Sequence, residues 1–166
     1  MISAQAFHWV PKEIGYAKVA RALKANGYLA LFWNMCLYPK GGMYDDLSKV
    51  YKEQTPTLAT RTGFYEDLLK QREIEIIESG CFGTVEVRKF PWLTRYSTEQ
   101  YIGLLNTYSD HLRLPEEDRN YLFESIAEVI ERYGGYIEKP YLAVLYVAKK
   151  LPNPRCSGGE VVASLR

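Results

Sequence analysis

Two histidines hold most of the acid–base potential of this 166-residue chain. His8 stands in Phe7-His8-Trp9, a polar-aromatic corner. An unperturbed imidazole titrates near neutrality, so His8 is the candidate catalytic base. A lone histidine is weak ground for proton transfer, and the preferred alternative is that His8 hydrogen-bonds the backbone and orients the corner. His111 ends the run Ser109-Asp110-His111. Sequence neighbours rarely converge as a catalytic triad requires, so Asp110 and His111 are read instead as satisfying backbone groups at a helix end. Two separate histidines with no ligand cluster make no metal site. Asn34, polar at the end of an apolar run, is a candidate binding residue; its alternative is a helix or turn cap. Trp92 and Tyr96, with Tyr101 and Tyr108, offer aromatic surface to roof a small-molecule site, although the helical spacing of Tyr101 and Tyr108 makes them core by default.

The elements that must position these groups begin with Ser3 to Asn34. Ser3 to Trp9 reads as a strand end running into the corner. Pro11 suits the first turn of a helix, where its missing N–H has no partner to lose. Ile14, Ala17, Ala20, Ala22 and Leu23 give that helix its apolar surface, and Asn26-Gly27 supplies a left-handed stop. Tyr28 to Trp33 is apolar on both faces, the pattern of a central parallel strand covered on both sides. Strand, corner, helix, turn and strand make one βαβ unit. In such sheets ligands sit at the carboxyl ends of the strands, here Gln5 to Trp9 and Trp33-Asn34. Trp33 alternates away from Asn34 and is expected in the core.

Farther along, Met35 to Thr62 is a long connection containing a short helix, Tyr44 to Tyr51, with Leu47, Val50 and Tyr51 on one face; Pro56 ends it. Such an insertion is either a binding loop or a surface excursion. Phe64 to Ser79 reads as a helix with a candidate break near Gln71-Arg72; the alternation Glu73-Ile74-Glu75-Ile76 also fits a strand, and Gly80 as a helix stop decides for the helix. Thr84 to Phe90 alternates as an edge strand that Pro91 and Trp92 close. Ser97 to Gln100 is a capping box, followed by a helical face of Tyr101, Leu104, Leu105 and Tyr108. Pro115 opens another helix that buries Leu122, Ile126, Val129, Ile130 and Tyr133 and stops at Gly134-Gly135. Tyr141 to Ala148 is a second buried strand.

Serine-to-glutamate run SAQAFHWVPKE, followed by ARALKANGYLALFWN, resembles the fourth and fifth strand region of class I S-adenosylmethionine (SAM)-dependent methyltransferases, the small-molecule type with an AFHW corner. IEIIESGCFGTVEVRKFPW, YSTEQYIGLLNTYSDHLRLPEEDR and PYLAVLYVAKK resemble later parts of the same group, so the likeness covers about residues 2 to 150. It implies an α/β fold, a partial Rossmann-like sheet flanked by helices. The strands would resemble the family's fourth and fifth, its antiparallel seventh and its sixth, in the order Ser3, Leu31, Val144, Val87. It also implies SAM as methyl donor and a small-molecule acceptor. By position, Ala4, Gln5 and Ala6 would pass close to the cofactor, while Phe7, His8 and Trp9 would wall the acceptor pocket. From its residues alone, Trp9 reads rather as packing for the next helix. The family grips SAM through a glycine-rich loop after its first strand and an acidic residue after its second. This chain holds neither, and no GxG occurs in it. Three βα units, roughly 90 residues at about 30 each, are therefore expected to be missing. Residues 1–150 read as the C-terminal part of a methyltransferase domain and residues 151–166 as a loose tail.

Composition fits. At 47% hydrophobic and 25% charged the chain is ordinary for a globular protein. A net charge of +1 gives no field to draw nucleic acid, and no apolar run is long enough to span a bilayer. Three widely spaced cysteines, Cys36, Cys81 and Cys156, suggest neither a disulfide framework nor zinc, and with no visible signal peptide they fit a reducing cytoplasm. The competing reading is a truncated, non-catalytic chain that binds no SAM. It would pair with another copy through the open edge of the Ser3 strand and expose apolar surface where covering helices are absent.

Overall fold

The computed structural model describes residues 1–59 and 65–156. Its elements are β1 (Ile2–Ala4), a 3-10 turn (Phe7–Trp9), α1 (Lys12–Ala22), β2 (Tyr28–Cys36), α2 (Met43–Gln54), α3 (Pro56–Ala59), α4 (Tyr65–Glu78), β3 (Phe82–Ser97), α5 (Thr98–Leu105), α6 (Ser109–Leu112), α7 (Glu116–Arg132) and β4 (Tyr136–Lys150). The four strands lie in the order β1-β2-β4-β3, the order the resemblance implies. β1 is parallel to β2, with Ser3 opposite Leu31. β4 runs antiparallel to both neighbours. Lys150 N donates to Gly27 O while Leu37 N donates to Pro140 O, and Leu151 N donates to Cys81 O while Thr98 N donates to Gly135 O.

The chain divides into two compact units. Among the described residues the first comprises 1–35, 65–91 and 142–156. Its core holds Leu29, Leu31 and Trp33 of β2, Tyr16 and Val19 of α1, and Val144 and Tyr146 of β4. The side chains of β2 alternate rather than being buried on both faces. Leu29, Leu31 and Trp33 point inward, whereas Tyr28 and Phe32 are exposed. Parallel register puts Ile2, itself exposed, on the same open face. α1 ends earlier than expected because Leu23 is already extended (ψ 137°), although Asn26 does adopt the left-handed conformation (φ 62°). Ile14 is exposed; Gly15, Tyr16, Ala17, Val19 and Ala20 form the buried face.

Two boundaries differ. β3 continues through Pro91 to Ser97 and β4 begins at Tyr136. As the last strand in the sheet order, β3 can direct the missing N–H of a proline away from the ladder. α4 is unbroken, so the alternation Glu73 to Ile76 is helical, and Gly80 at φ 65° stops it. Phe64 and residues 60–62 of the long connection lie outside the described residues.

Cys81 and Cys156 are joined by a disulfide, Cα atoms 4.7 Å apart, which corrects the reading of three unpaired thiols. The Leu151 bond to Cys81 and the disulfide at Cys156 tie the two ends of residues 151–156 to the start of β3. Any Cβ at Gly80 would also collide with Arg155 O. Only Cys36 remains a thiol among the described residues, and the cysteines no longer argue for a reducing compartment.

Among the described residues the second unit comprises 36–59 and 92–141. α7 buries Leu122, Phe123, Ile126, Val129 and Ile130 against Leu47, Tyr101, Leu105 and Ile137. Tyr133 is not part of that face: it is 43% exposed and donates to Asp46. The capping box forms as read, Gln100 N donating to Ser97 Oγ at 3.2 Å and Ser97 N to Gln100 Oε1 at 3.0 Å. Ser97→Ala should lower stability by about 1 kcal/mol. Ile126→Ala, at a fully buried site, should lower it by about 2–5 kcal/mol. Denaturant titration of the two variants checks the ranking.

Candidate functional site

Chemistry-bearing side chains gather in two places, one in each unit. In the first unit β1 stops at Ala4 and Gln5 turns the chain with φ 52°, a conformation uncommon outside glycine. Gln5 N still donates to Phe32 O. Its side-chain amide then replaces the next rung of the ladder. Oε1 accepts from Asn34 N at 2.9 Å and Nε2 donates to Asn34 O at 3.1 Å. An amide carries the same donor and acceptor as a peptide, so pairing continues while the main chain leaves for the corner. Ala4, Gln5, Ala6 and Asn34 are all exposed.

His8 Nδ1 accepts from the Trp33 indole N–H at 3.1 Å. An accepting Nδ1 carries no proton, so the ring's hydrogen is on Nε2. The bond goes to a side chain and not to the backbone. Trp33 is core as expected, with the Arg72 guanidinium 3.8 Å from its ring centroid and Tyr146 edge-on at 5.8 Å. Among the described residues the buried Arg72 Nη1 has no hydrogen-bond partner, and burial draws its pKa below the ordinary value. His8, Trp9, Trp33, Arg72 and Glu75 border a cleft of about 430 Å³. Phe7, also at its edge, is 6% exposed and packs on Tyr16. Trp9 is 80% exposed beside the His8 ring, so it does not pack the following helix.

A larger cavity, about 620 Å³, lies wholly in the second unit. Tyr38, Tyr44, Tyr51, Tyr101 and Tyr108 line it with Cys36, Asp110 and His111. α2 contributes Tyr44 and Tyr51, α5 contributes Tyr101, and α6 contributes Asp110 and His111. His111 is 5% exposed. Its Nδ1 lies 2.8 Å from Asp110 Oδ1 and its Nε2 lies 2.9 Å from the Tyr51 hydroxyl. The carboxylate accepts only, which places the ring hydrogen on Nδ1 and leaves Nε2 to accept from Tyr51. Tyr51, His111 and Asp110 thus form a continuous hydrogen-bonded chain. Burial lifts the Tyr51 phenol well above its ordinary pKa and pushes Tyr44 up to about 12. Sequence reading rejected a triad in Ser109-Asp110-His111 and read Asp110 and His111 as satisfying backbone groups at a helix end; Asp110 Oδ1 does accept from His111 N at 2.9 Å. The imidazole's other partner is Tyr51, 60 residues earlier, and no local spacing marks it. Trp92 and Tyr96 pair elsewhere in the unit: Trp92 stacks on Tyr141 at 4.4 Å, and the Tyr96 hydroxyl lies 3.3 Å from that of Tyr141.

Lys139 is the second group that sequence reading missed. It is fully buried, and its Nζ donates to the Tyr101 hydroxyl at 3.4 Å. The rings of Tyr38, Tyr101 and Tyr141 surround the ammonium at 4.9, 5.2 and 5.9 Å. Among the described residues no carboxylate pairs with it. Its signal was the inward alternation Ile137, Lys139, Tyr141, which shows only once the strand is extended back to Tyr136.

No family model matches the chain. It is 26% identical over 153 residues to an uncharacterised methyltransferase of Schizosaccharomyces pombe, covering 89% of this chain and 57% of that protein. It is 25% identical over 157 residues to an uncharacterised methyltransferase-like protein of the same organism, covering 92% and 58%. The chain therefore spans little more than half the length of these relatives. A solved structure from Anaeromyxobacter dehalogenans, provisionally described as a type II methyltransferase, superposes with a TM-score of 0.56 at 14% identity, over 92% of this chain and 64% of that one. The fold is Rossmann-like, and the chain resembles class I methyltransferases in sequence and in fold.

Burial lowers the pKa of Lys139 from 10.5, so the folded chain binds fewer protons than the unfolded one between those values. Stability contributed by this residue accordingly rises with pH and is lost as pH falls through the folded pKa. Lys139→Met should raise the melting temperature at neutral pH, and the gain should shrink as pH approaches 10.5. His111→Leu, which strands the Tyr51 hydroxyl and removes the imidazole's bond to Asp110, should cost about 1–3 kcal/mol in denaturant unfolding, more than Tyr51→Phe.

Proposed function

We propose that this chain forms the acceptor-side part of a SAM-dependent methyltransferase that methylates a small molecule bound in the second unit's cavity. The observation that carries this reading is the sequence similarity, across nearly the whole chain, to two proteins named as methyltransferase and methyltransferase-like. SAM supplies an electrophilic methyl on a sulfonium. The protein's task is to align donor and acceptor and exclude water. The small, exposed Ala4 and Ala6 leave the backbone around Gln5 approachable, which suits residues that pass a cofactor's flank. The Gln5 amide is already engaged with Asn34, so its contribution is to hold the turn. His8 shapes this corner through Trp33.

A base is required only when the acceptor is protonated. For such an acceptor we assign that role to His111 acting through Tyr51. The acceptor's proton passes to the Tyr51 oxygen as the Tyr51 proton moves to Nε2, and Asp110 stabilises the imidazolium. The exposed Ile2 and Phe32 beside the open edge of β1 favour a second reading, a non-catalytic chain that self-associates there.

Calorimetry with SAM, with the mass in solution recorded alongside, separates the two. The first reading expects saturable binding near one per chain and label transfer from methyl-labelled SAM. A folded chain that binds no SAM overturns it. For a hydroxyl acceptor, His111→Gln should lower kcat by about 10²–10⁴-fold with SAM affinity unchanged.

A further inference from the structure

We infer that the second unit's cavity selects a small organic anion, whose negative charge is met by Lys139 through the hydroxyl of Tyr101; as a statement about the acceptor, this rests on the function proposed above. The ammonium of Lys139 is fully buried. A buried charge needs both hydrogen bonds and an opposite charge, and Lys139 has one hydrogen bond and no carboxylate among the described residues. Tyrosine faces offer partial compensation. They do not replace a counter-ion.

The missing charge has a place to come from. Tyr38, Tyr101 and Cys36, which stand around the ammonium, are also walls of the cavity. Tyr101 Oη accepts from Nζ, so its own O–H points elsewhere, and it has no acceptor among the described residues. An anion in the cavity would complete the series Nζ–H to Oη–H to anionic oxygen, with each bond strengthened by the charge at either end. The carboxylates lining the cavity are already engaged: Asp110 with His111, and Asp45 with the N–H of Gly41. Tyr51 and His111 lie on the same cavity, leaving one group of the ligand for recognition and another for reaction.

Three probes of one shape and different charge test this: benzoate, benzamide and benzylammonium, measured by ligand-observed NMR on the full chain. Benzoate should bind about tenfold or more tighter than benzamide, with benzylammonium weakest. Lys139→Met should erase the preference while the fold persists, Lys139→Arg should keep it, and Tyr101→Phe should reduce it. Benzamide or benzylammonium binding as well as benzoate, an unchanged preference in Lys139→Met, or no binding of any probe overturns the inference. No methyl donor is involved. A chain that selects benzoate but neither binds SAM nor transfers methyl upholds the anion site and refutes the function, and the reverse result refutes only the anion site.

Discussion

An ammonium buried without a carboxylate is the interaction on which the second unit turns. Lys139 sits mid-strand between Ile137 and Tyr141, all three facing inward. Water cannot reach it, so its environment must be built from protein. Three tyrosine rings and one phenolic oxygen provide that environment. This explains a feature that composition alone leaves open: 14 tyrosines in 166 residues. Several of them are neither core filler nor surface decoration. They form the wall between a buried charge and a cavity.

The same unit holds its second polar device by a different logic. Tyr51, His111 and Asp110 satisfy one another, so both ring nitrogens of the buried imidazole find a partner. α2 and α6 are thereby tied by hydrogen bonds as well as by packing, and the Tyr108 and Phe123 rings flank the imidazole. A complete chain of this kind is rigid. An incomplete one, as at Lys139, is where a ligand has something to add.

In the first unit the comparable constraint is geometric. The parallel ladder between β1 and β2 is only three residues long, yet the chain must leave it at a fixed angle to make the corner. Gln5 accomplishes both: its backbone turns with positive φ and its side chain continues the pairing to Asn34. The Trp33 indole then fixes the His8 ring, and Arg72 covers the other indole surface. Aromatic, cation and imidazole are thus locked to one strand end.

Local pattern determined much of this protein. The capping box at Ser97, the apolar period of α7 and the left-handed Asn26 and Gly80 are all short-range properties, set by backbone sterics and the spacing of apolar side chains. Sheet order came from family likeness, since pairing partners are far apart in sequence. What only the tertiary structure decided were encounters across distance: Tyr51 with His111, Lys139 with Tyr101, Gln5 with Asn34, and Cys81 with Cys156. Hydrogen bonds and burial depend on which groups meet in space. A sequence fixes the periodicity that puts a side chain inside, and the packed fold chooses what it finds there.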